Sequence, residues 1–289
     1  DLEKEYKKQV LAPLFEEYGK GKTPNPDIDC NYKIKFPLLW KKAKEFNADF
    51  IATGHYARIK KNPSSYSLLC GIDKNKDQSY FLYRLTQDDL SHTLFPLGNL
   101  KKEEVRKLAR SADFPNHDKL GSRGICFVGK QNMKKFLEKK IKNKIGKVID
   151  PLNNIIGTHP GSSYFTIGQR IGPHLSIEII KPKGTEQKKW YVSKKLSNNT
   201  LLAAPEGHKL LLTKTLKINK IYFIEPLKKI PKIIDARIRH LGSLHKGRLI
   251  LKNKRYYFSF NKPIEGVAQG QSIVLYNKGR VIGGGKIAL

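Results

Sequence analysis

The chain has 289 residues, 39% of them hydrophobic, enough for two or three cores. Its 56 Lys and Arg against 25 Asp and Glu leave a formal charge of +31, which argues for a polyanionic partner, although lysine runs such as 139–144 equally fit a surface that is basic for compositional reasons. Three cysteines without zinc-type spacing and the lack of any apolar run near the roughly 18 residues of a membrane span argue against a disulfide scaffold, a metal site and a membrane helix, and for a reducing, cytoplasmic setting.

From Leu2 to Tyr18 the apolar residues Tyr6, Val10, Leu11, Leu14, Phe15 and Tyr18 recur at three- and four-residue spacing and predict an amphipathic helix that Gly19 and Gly21 end. Thr23-Pro24-Asn25-Pro26-Asp27-Ile28-Asp29-Cys30-Asn31 follows. Its two prolines fix φ and push their predecessors out of the helical region, which predicts a rigid loop presenting Asp27 and Cys30. A helix over 36–46 and a short apolar strand, Ala48 to Ala52, come next, running into Thr53-Gly54-His55. That order predicts an α/β unit with a parallel sheet whose carboxyl edge binds a ligand.

A further helix is expected over Lys101 to Ala112, with Val105, Leu108, Ala109 and Ala112 on one face, and a basic helix over 131–145. Residues 147–202 are rich in glycine and proline. Beyond about Leu210 the chain reads as β: runs such as 248–251 and 255–260 alternate with turns, and 270–276 and 281–285 complete what would be a small barrel. These divisions give an α/β domain over 1–129, a small central domain over 130–208 and a β-barrel over 209–289.

Two thiols on stiffened segments, Cys30 and Cys126 in Gly124-Ile125-Cys126-Phe127, raise the prospect of sulfur chemistry, although a free cysteine is most often a small buried apolar residue. Cys70 reads as packing. His55 fits a core histidine as well as a phosphate or base contact. Lys76-Asp77-Gln78, ahead of Tyr80 and Phe81, suits phosphate and base-edge contacts, yet a helix start would use the same residues; Tyr164 to Arg170 carries the same ambiguity.

Taken together, six segments resemble the tRNA-specific 2-thiouridylases: 23–31, Ile34-Lys35-Phe36, 52–58, 76–82, 124–129 and 164–170, in the family's order, with weaker matches at Gly270-Gln271-Ser272 and 283–285. The resemblance implies the carboxyl part of a PP-loop ATPase domain, a central tRNA-binding domain and a C-terminal barrel. It implies an enzyme that uses ATP, with Mg2+, to adenylate the C2 oxygen of the wobble uridine and then transfers sulfur from a persulfide on Cys126, with Cys30 as the partner thiol. Either the persulfide attacks C2 directly or Cys30 first releases hydrosulfide, and both routes can end in a Cys30–Cys126 disulfide. Asp27 is implied as acid/base, Asn25-Pro26-Asp27 as contacts of the target uridine, Gly54 as a contact of ATP, and His55, Lys76, Asp77, Gln78, Arg239, His240 and Gln271 as contacts of tRNA. A sulfur-donor protein is the implied second partner, and the enzyme a monomer.

The sequence departs from the family at His240, where tyrosine is usual, and at Tyr32, where a basic residue is usual. The family's Ser-Gly-Gly-x-Asp-Ser loop, whose backbone N–H groups cradle the ATP phosphates, does not occur in the 289 residues, and the chain is expected to be an N-terminally truncated member. A non-catalytic tRNA-binding remnant and a thiol-redox protein are the alternatives.

Overall fold

The computed structural model describes the whole chain except residues 119–123, 125, 127, 130, 131, 173, 174, 176 and 227–229. Two long helices come first. Helix α1 (residues 3–19) and helix α2 (residues 26–45) each contain one wide π-type turn, Lys7–Leu11 and Asn31–Lys35. In each, a proline (Pro13, Pro37) lies two residues beyond the wide turn. A proline inside a helix lacks one N–H and crowds the carbonyl four residues back, and a local π turn relieves both problems without breaking the rod.

Helix α2 corrects the expectation of a rigid loop at residues 23–31. Of that stretch only residues 23–25 are non-helical. Pro26 stands at the first helical position, where its fixed φ is already helical and its missing N–H is no loss, and the Asn25 side chain caps the end by accepting the Ile28 N–H. The prolines start the helix that carries Cys30 rather than preventing it.

Beyond α2 the chain forms β1 (Ile51–Ala52), the hairpin β2 (Ala57–Lys61) and β3 (Tyr66–Cys70), a single turn at Ser79–Leu82, α3 (Gln87–Ser91), β4 (Thr93–Leu94) and α4 (Lys102–Ser111). Among the described residues of this first domain, the expected parallel sheet is the two-stranded pair β1–β4, in register Ile51 to Thr93. Helix α4 forms where expected, but none of its residues is buried, and Leu108 is 58% exposed.

The expected basic helix over 131–145 shortens to α5 (Met133–Glu138). Lys135 and Lys139 would stack like charges four residues apart, which weakens any continuation. The glycine- and proline-rich stretch that follows holds a four-stranded sheet that sequence periodicity did not reveal. It comprises β5 (Gly146–Ile149), β6 (Ile155–His159), β7 (Trp190–Leu196) and β8 (Thr200–Pro205), in the order β6-β5-β8-β7. Its core, around Trp190, Val192 and Phe165, also takes Leu14 and Tyr18 from α1.

The last third is the expected barrel: β9 (Leu212–Phe223), β10 (Ile234–Arg237), β11 (His245–Lys252), β12 (Arg255–Glu265), β13 (Ser272–Asn277) and β14 (Arg280–Ala288). They close in the antiparallel cycle β13-β10-β11-β12-β9-β14, with β13 pairing back to β14. The hairpin β2–β3 leans on β14 at Arg280 opposite Leu69. The first domain and the barrel share a core, in which Tyr80, Leu82 and Tyr83 pack with Val274, Tyr276 and Val281. Closure matters because an open sheet edge would be a template for aggregation.

Candidate active site: two thiols across the helix pair

Helix periodicity decides what α2 presents. Asp27, Cys30 and Ile34, at spacings of three and four, share a face, and Ile34 and Cys30 pack with Tyr6 and Val10 of α1 into a small core that also receives Leu38, Cys126 and Val128. Cys30 is wholly buried, whereas Cys126 is partly exposed. The Cys30 thiol donates to the Cys126 sulfur at 3.5 Å. The Asp27 carboxylate accepts the Cys126 backbone N–H at 2.9 Å, and the Tyr6 hydroxyl donates to the Cys126 carbonyl. Three contacts therefore fix a segment roughly a hundred residues away in sequence; its neighbours 121–123, 125 and 127 lie outside the described residues.

The electrostatics favour protonated groups. The hydrogen bond to Cys126 and then burial push the Cys30 thiol far above its usual range, against the attraction of Lys35. Burial also raises the Asp27 carboxyl, opposed by the Cys126 N–H and by Lys35. Two sulfurs in contact, one dry and one reachable from solvent, can exchange a bond with little chain movement, because a disulfide shortens their separation to about 2.05 Å.

Further along α2, Lys35 Nζ lies 3.4 Å from His55 Nε2, and His55 Nδ1 lies 2.8 Å from Thr53 Oγ1. Burial holds His55 down to about 3, so it is a neutral ring at ordinary pH. Gly54 is exposed at the carboxyl ends of β1 and β4, and a Cβ there would touch only Leu97 Cδ1 at 3.7 Å. Its backbone is thus approachable by a nucleotide, on the sheet edge where open α/β folds bind one.

The remaining expected residues form two groups. Gln271 donates from Nε2 to the carbonyls of Thr23 (3.0 Å) and Pro24 (3.4 Å), holding the segment that leads into Asn25, Pro26 and Asp27. The 76–81 segment meets the barrel: Asp77 pairs with Arg237 at 2.6 Å, and the Phe81 and His240 rings lie 4.3 Å apart. Asn31 Nδ2 donates to the Phe81 carbonyl at 3.4 Å and links the groups.

Lys76 and Arg239 are exposed and Gln78 is half-buried, its side-chain oxygen accepting the Tyr56 N–H. Asp77 faces inward. It is 1% exposed, accepts the Gly71 and Ser79 N–H groups and is neutralised by Arg237, so its carboxylate is an internal clamp between domain and barrel. Burial lowers His240 to about 4. Tyr32 carries the guanidinium of Arg84 over its ring at 3.7 Å, so a cation stands beside this position after all. In the 164–170 segment Tyr164 and Phe165 are core, and Gly168, at φ +82°, lets the central domain approach Gly266, whose Cα a Cβ would meet at 2.6 Å. Cys70 is half-buried and pushed up to about 11 by that burial.

Tyr6, Lys35 and Arg237 were not singled out by sequence reasoning. Lys35 stood inside a recognised segment; Tyr6 and Arg237 carried no local signal, one being a spaced apolar residue and the other a mid-strand basic residue. Among the described residues no group of three or more His, Cys, Asp or Glu is placed to hold a metal ion, and no helix is long and apolar enough to cross a membrane.

Comparison with known proteins places these features. Residues 1–130 match a family described as the tRNA methyl transferase HUP domain, residues 134–205 one described as the tRNA methyl transferase PRC-barrel domain, and residues 213–287 one described as the aminomethyltransferase beta-barrel domain. The chain is 38% identical over 295 residues to tRNA-specific 2-thiouridylase MnmA 2 of Aliarcobacter butzleri, spanning 100% of this chain and 80% of that protein. It is 41% identical over 290 residues to tRNA-specific 2-thiouridylase MnmA of Nitrosococcus oceani, spanning 98% and 77%. The same-named protein of Chlamydia trachomatis serovar D is 38% identical over 287 residues, again 98% and 77%.

Proposed function

The chain belongs to the tRNA-specific 2-thiouridylases, and on that premise we propose that it is a tRNA-uridine 2-sulfurtransferase that replaces the C2 oxygen of the wobble uridine by sulfur carried on Cys126. The observation that carries this reading is the contact of the two thiols at 3.5 Å, with Asp27 bound to the Cys126 backbone. Three family descriptions speak of methyl or aminomethyl transfer, but a dry thiol against a reachable one is a sulfur-handling arrangement.

Cys126, the partly exposed member, takes sulfur from a donor protein as a persulfide. ATP supplies the leaving group that the C2 oxygen needs, and Gly54, with open backbone at the sheet edge, would lie against it. The terminal sulfur of the persulfide bonds to C2 as the activated oxygen departs. Cys30 then gives up its proton and bonds to the Cys126 sulfur; the persulfide S–S bond breaks, leaving its electron pair on the sulfur at C2. The products are a 2-thiouridine and a Cys30–Cys126 disulfide, which a thiol reductant reopens. Asp27, raised by burial, holds or releases a proton beside the base, with Asn25 and Pro26 along the same helix start. Exposed Lys76 and Arg239, with Gln78, His55, His240 and Gln271 near the surfaces they adjoin, receive the tRNA, and Asp77 sets the position of Lys76 and Gln78. The enzyme acts as a cytoplasmic monomer.

The test is sulfur transfer to a wobble-uridine tRNA with ATP and a persulfide donor. Cys126→Ser should lower it by more than about a thousandfold, as loss of a nucleophile does; retained transfer in that variant contradicts the assignment.

A further inference from the structure

Where the end of α1, the central sheet and the barrel meet, the surface opens into a cavity of about 760 Å³, the size of a ligand pocket. Its wall includes Lys195 of β7, which sequence reading passed over as one of many lysines. The Lys195 stem lies on Gly21, where a Cβ would meet its Cδ at 3.8 Å, and its ammonium is buried with no hydrogen-bond partner among the described residues. Burial alone pulls it down to about 8. Among the described residues no Asp or Glu side chain lines the cavity, and Leu289, which does, makes no hydrogen bond to the Lys195 ammonium. Ser162, Ser163, Ser197 and Thr213 supply hydroxyl groups instead, and Lys194 adds a second, exposed cation.

A buried ammonium without a partner is costly as a rule, and natural proteins keep such a group where something else completes it. A cavity wall that combines an unpaired lysine with several hydroxyls and no Asp or Glu among the described residues suits an oxyanion, and its volume exceeds what a free ion needs. Thr23, four residues before Asp27, forms part of the same wall. We infer that this three-way junction binds a phosphate of the RNA backbone through Lys195, anchoring the tRNA next to the segment that leads into Asp27 and Cys30. The choice of RNA as the source of the phosphate rests on the tRNA reading above; the oxyanion site itself does not.

The experiment compares wild-type protein with Lys195→Met, which keeps the stem and removes the charge. Removal of an unpaired buried cation should leave the melting temperature equal or higher, which shows that the variant folds. Binding of unmodified tRNA is measured over a salt series, and thermal stabilisation by inorganic phosphate is measured without RNA. The expected result is tRNA affinity about tenfold weaker and a log–log salt slope shallower by about 0.7 to 1, the loss of one phosphate contact. Unchanged tRNA affinity and slope, with phosphate stabilising the wild type but not the variant, would keep the oxyanion site and reassign it to a free phosphate, overturning the RNA anchor. Equal behaviour of the two proteins in both arms overturns the site altogether. If the wild type fails to bind tRNA, the functional reading fails instead, and the phosphate arm still decides the site.

Discussion

The barrel and the thiol pair sit in one molecule but are held together over different distances along the chain. In the barrel, β11 and β12 are joined by the two-residue turn Asn253-Lys254, both residues at positive φ, and β13 and β14 by Lys278-Gly279 in the same form. Such turns match the twist of the flanking strands and set the register locally. Phe258, Phe260, Ile273 and Leu275 then fill a dry interior. The thiol pair instead joins residues 96 apart, and its supports, Asp27 and Tyr6, reach Cys126 across 99 and 120 residues. Local pairing with a packed core makes a frame; a few long-range polar contacts make a site that can change geometry without unfolding the frame. The sulfur–sulfur exchange proposed for Cys30 and Cys126 calls for the second kind of construction.

The sharpest way to break the comparison is to damage the frame where it meets the site. Arg237→Met leaves Asp77 charged and buried, and should destabilise the fold by about 3–5 kcal/mol, read as a large drop in melting temperature. Asp77→Asn in the same chain should recover part of it. Within the site, Asp27→Ala removes the acceptor of the Cys126 N–H and should cost about 1–3 kcal/mol at most. Its main effect should be local: faster amide exchange at Cys126 and slower Cys30–Cys126 disulfide formation under a mild oxidant, with the barrel's exchange unchanged. Loss of barrel protection in that variant would merge the two regions into one unit.

The smallest effect at neutral pH comes from the buried histidines. The folded state keeps His55 neutral down to about pH 3 and His240 to about pH 4, while the unfolded chain takes up these protons near pH 6.5. Stability is therefore complete above about pH 6.5 and falls on acidification toward pH 3. His55→Phe, in a site already flanked by Phe36 and Phe95, should flatten that acid limb in denaturant titrations; an unchanged limb would show that His55 is not kept neutral by the fold.

What the sequence made legible follows the same division. The helix over 3–19 and the barrel strands announce themselves because their hydrophobic repeats are local. The start of the helix over 26–45 was obscured by Pro24 and Pro26, which read as making a rigid loop until Asn25 is seen to cap a helix that Pro26 begins. The central sheet was hidden by its glycines and prolines. The approach of Cys126 to Cys30 has no signature in spacing; the pairing came with the family resemblance, and the geometry followed from the packing of Tyr6, Cys30 and Ile34 between α1 and α2. Asp77 shows the opposite case, a residue that reads as a ligand contact and faces inward because Arg237, 160 residues on, completes it.

The most direct measurement is to load the protein with sulfur from a persulfide donor, trap it with an alkylating reagent, and map the extra sulfur by peptide mass spectrometry. The account predicts it on Cys126, with Cys30 carrying only the trap, and a Cys30–Cys126 disulfide appearing once tRNA and ATP are added. Sulfur on Cys30 instead, or on neither residue, would contradict it.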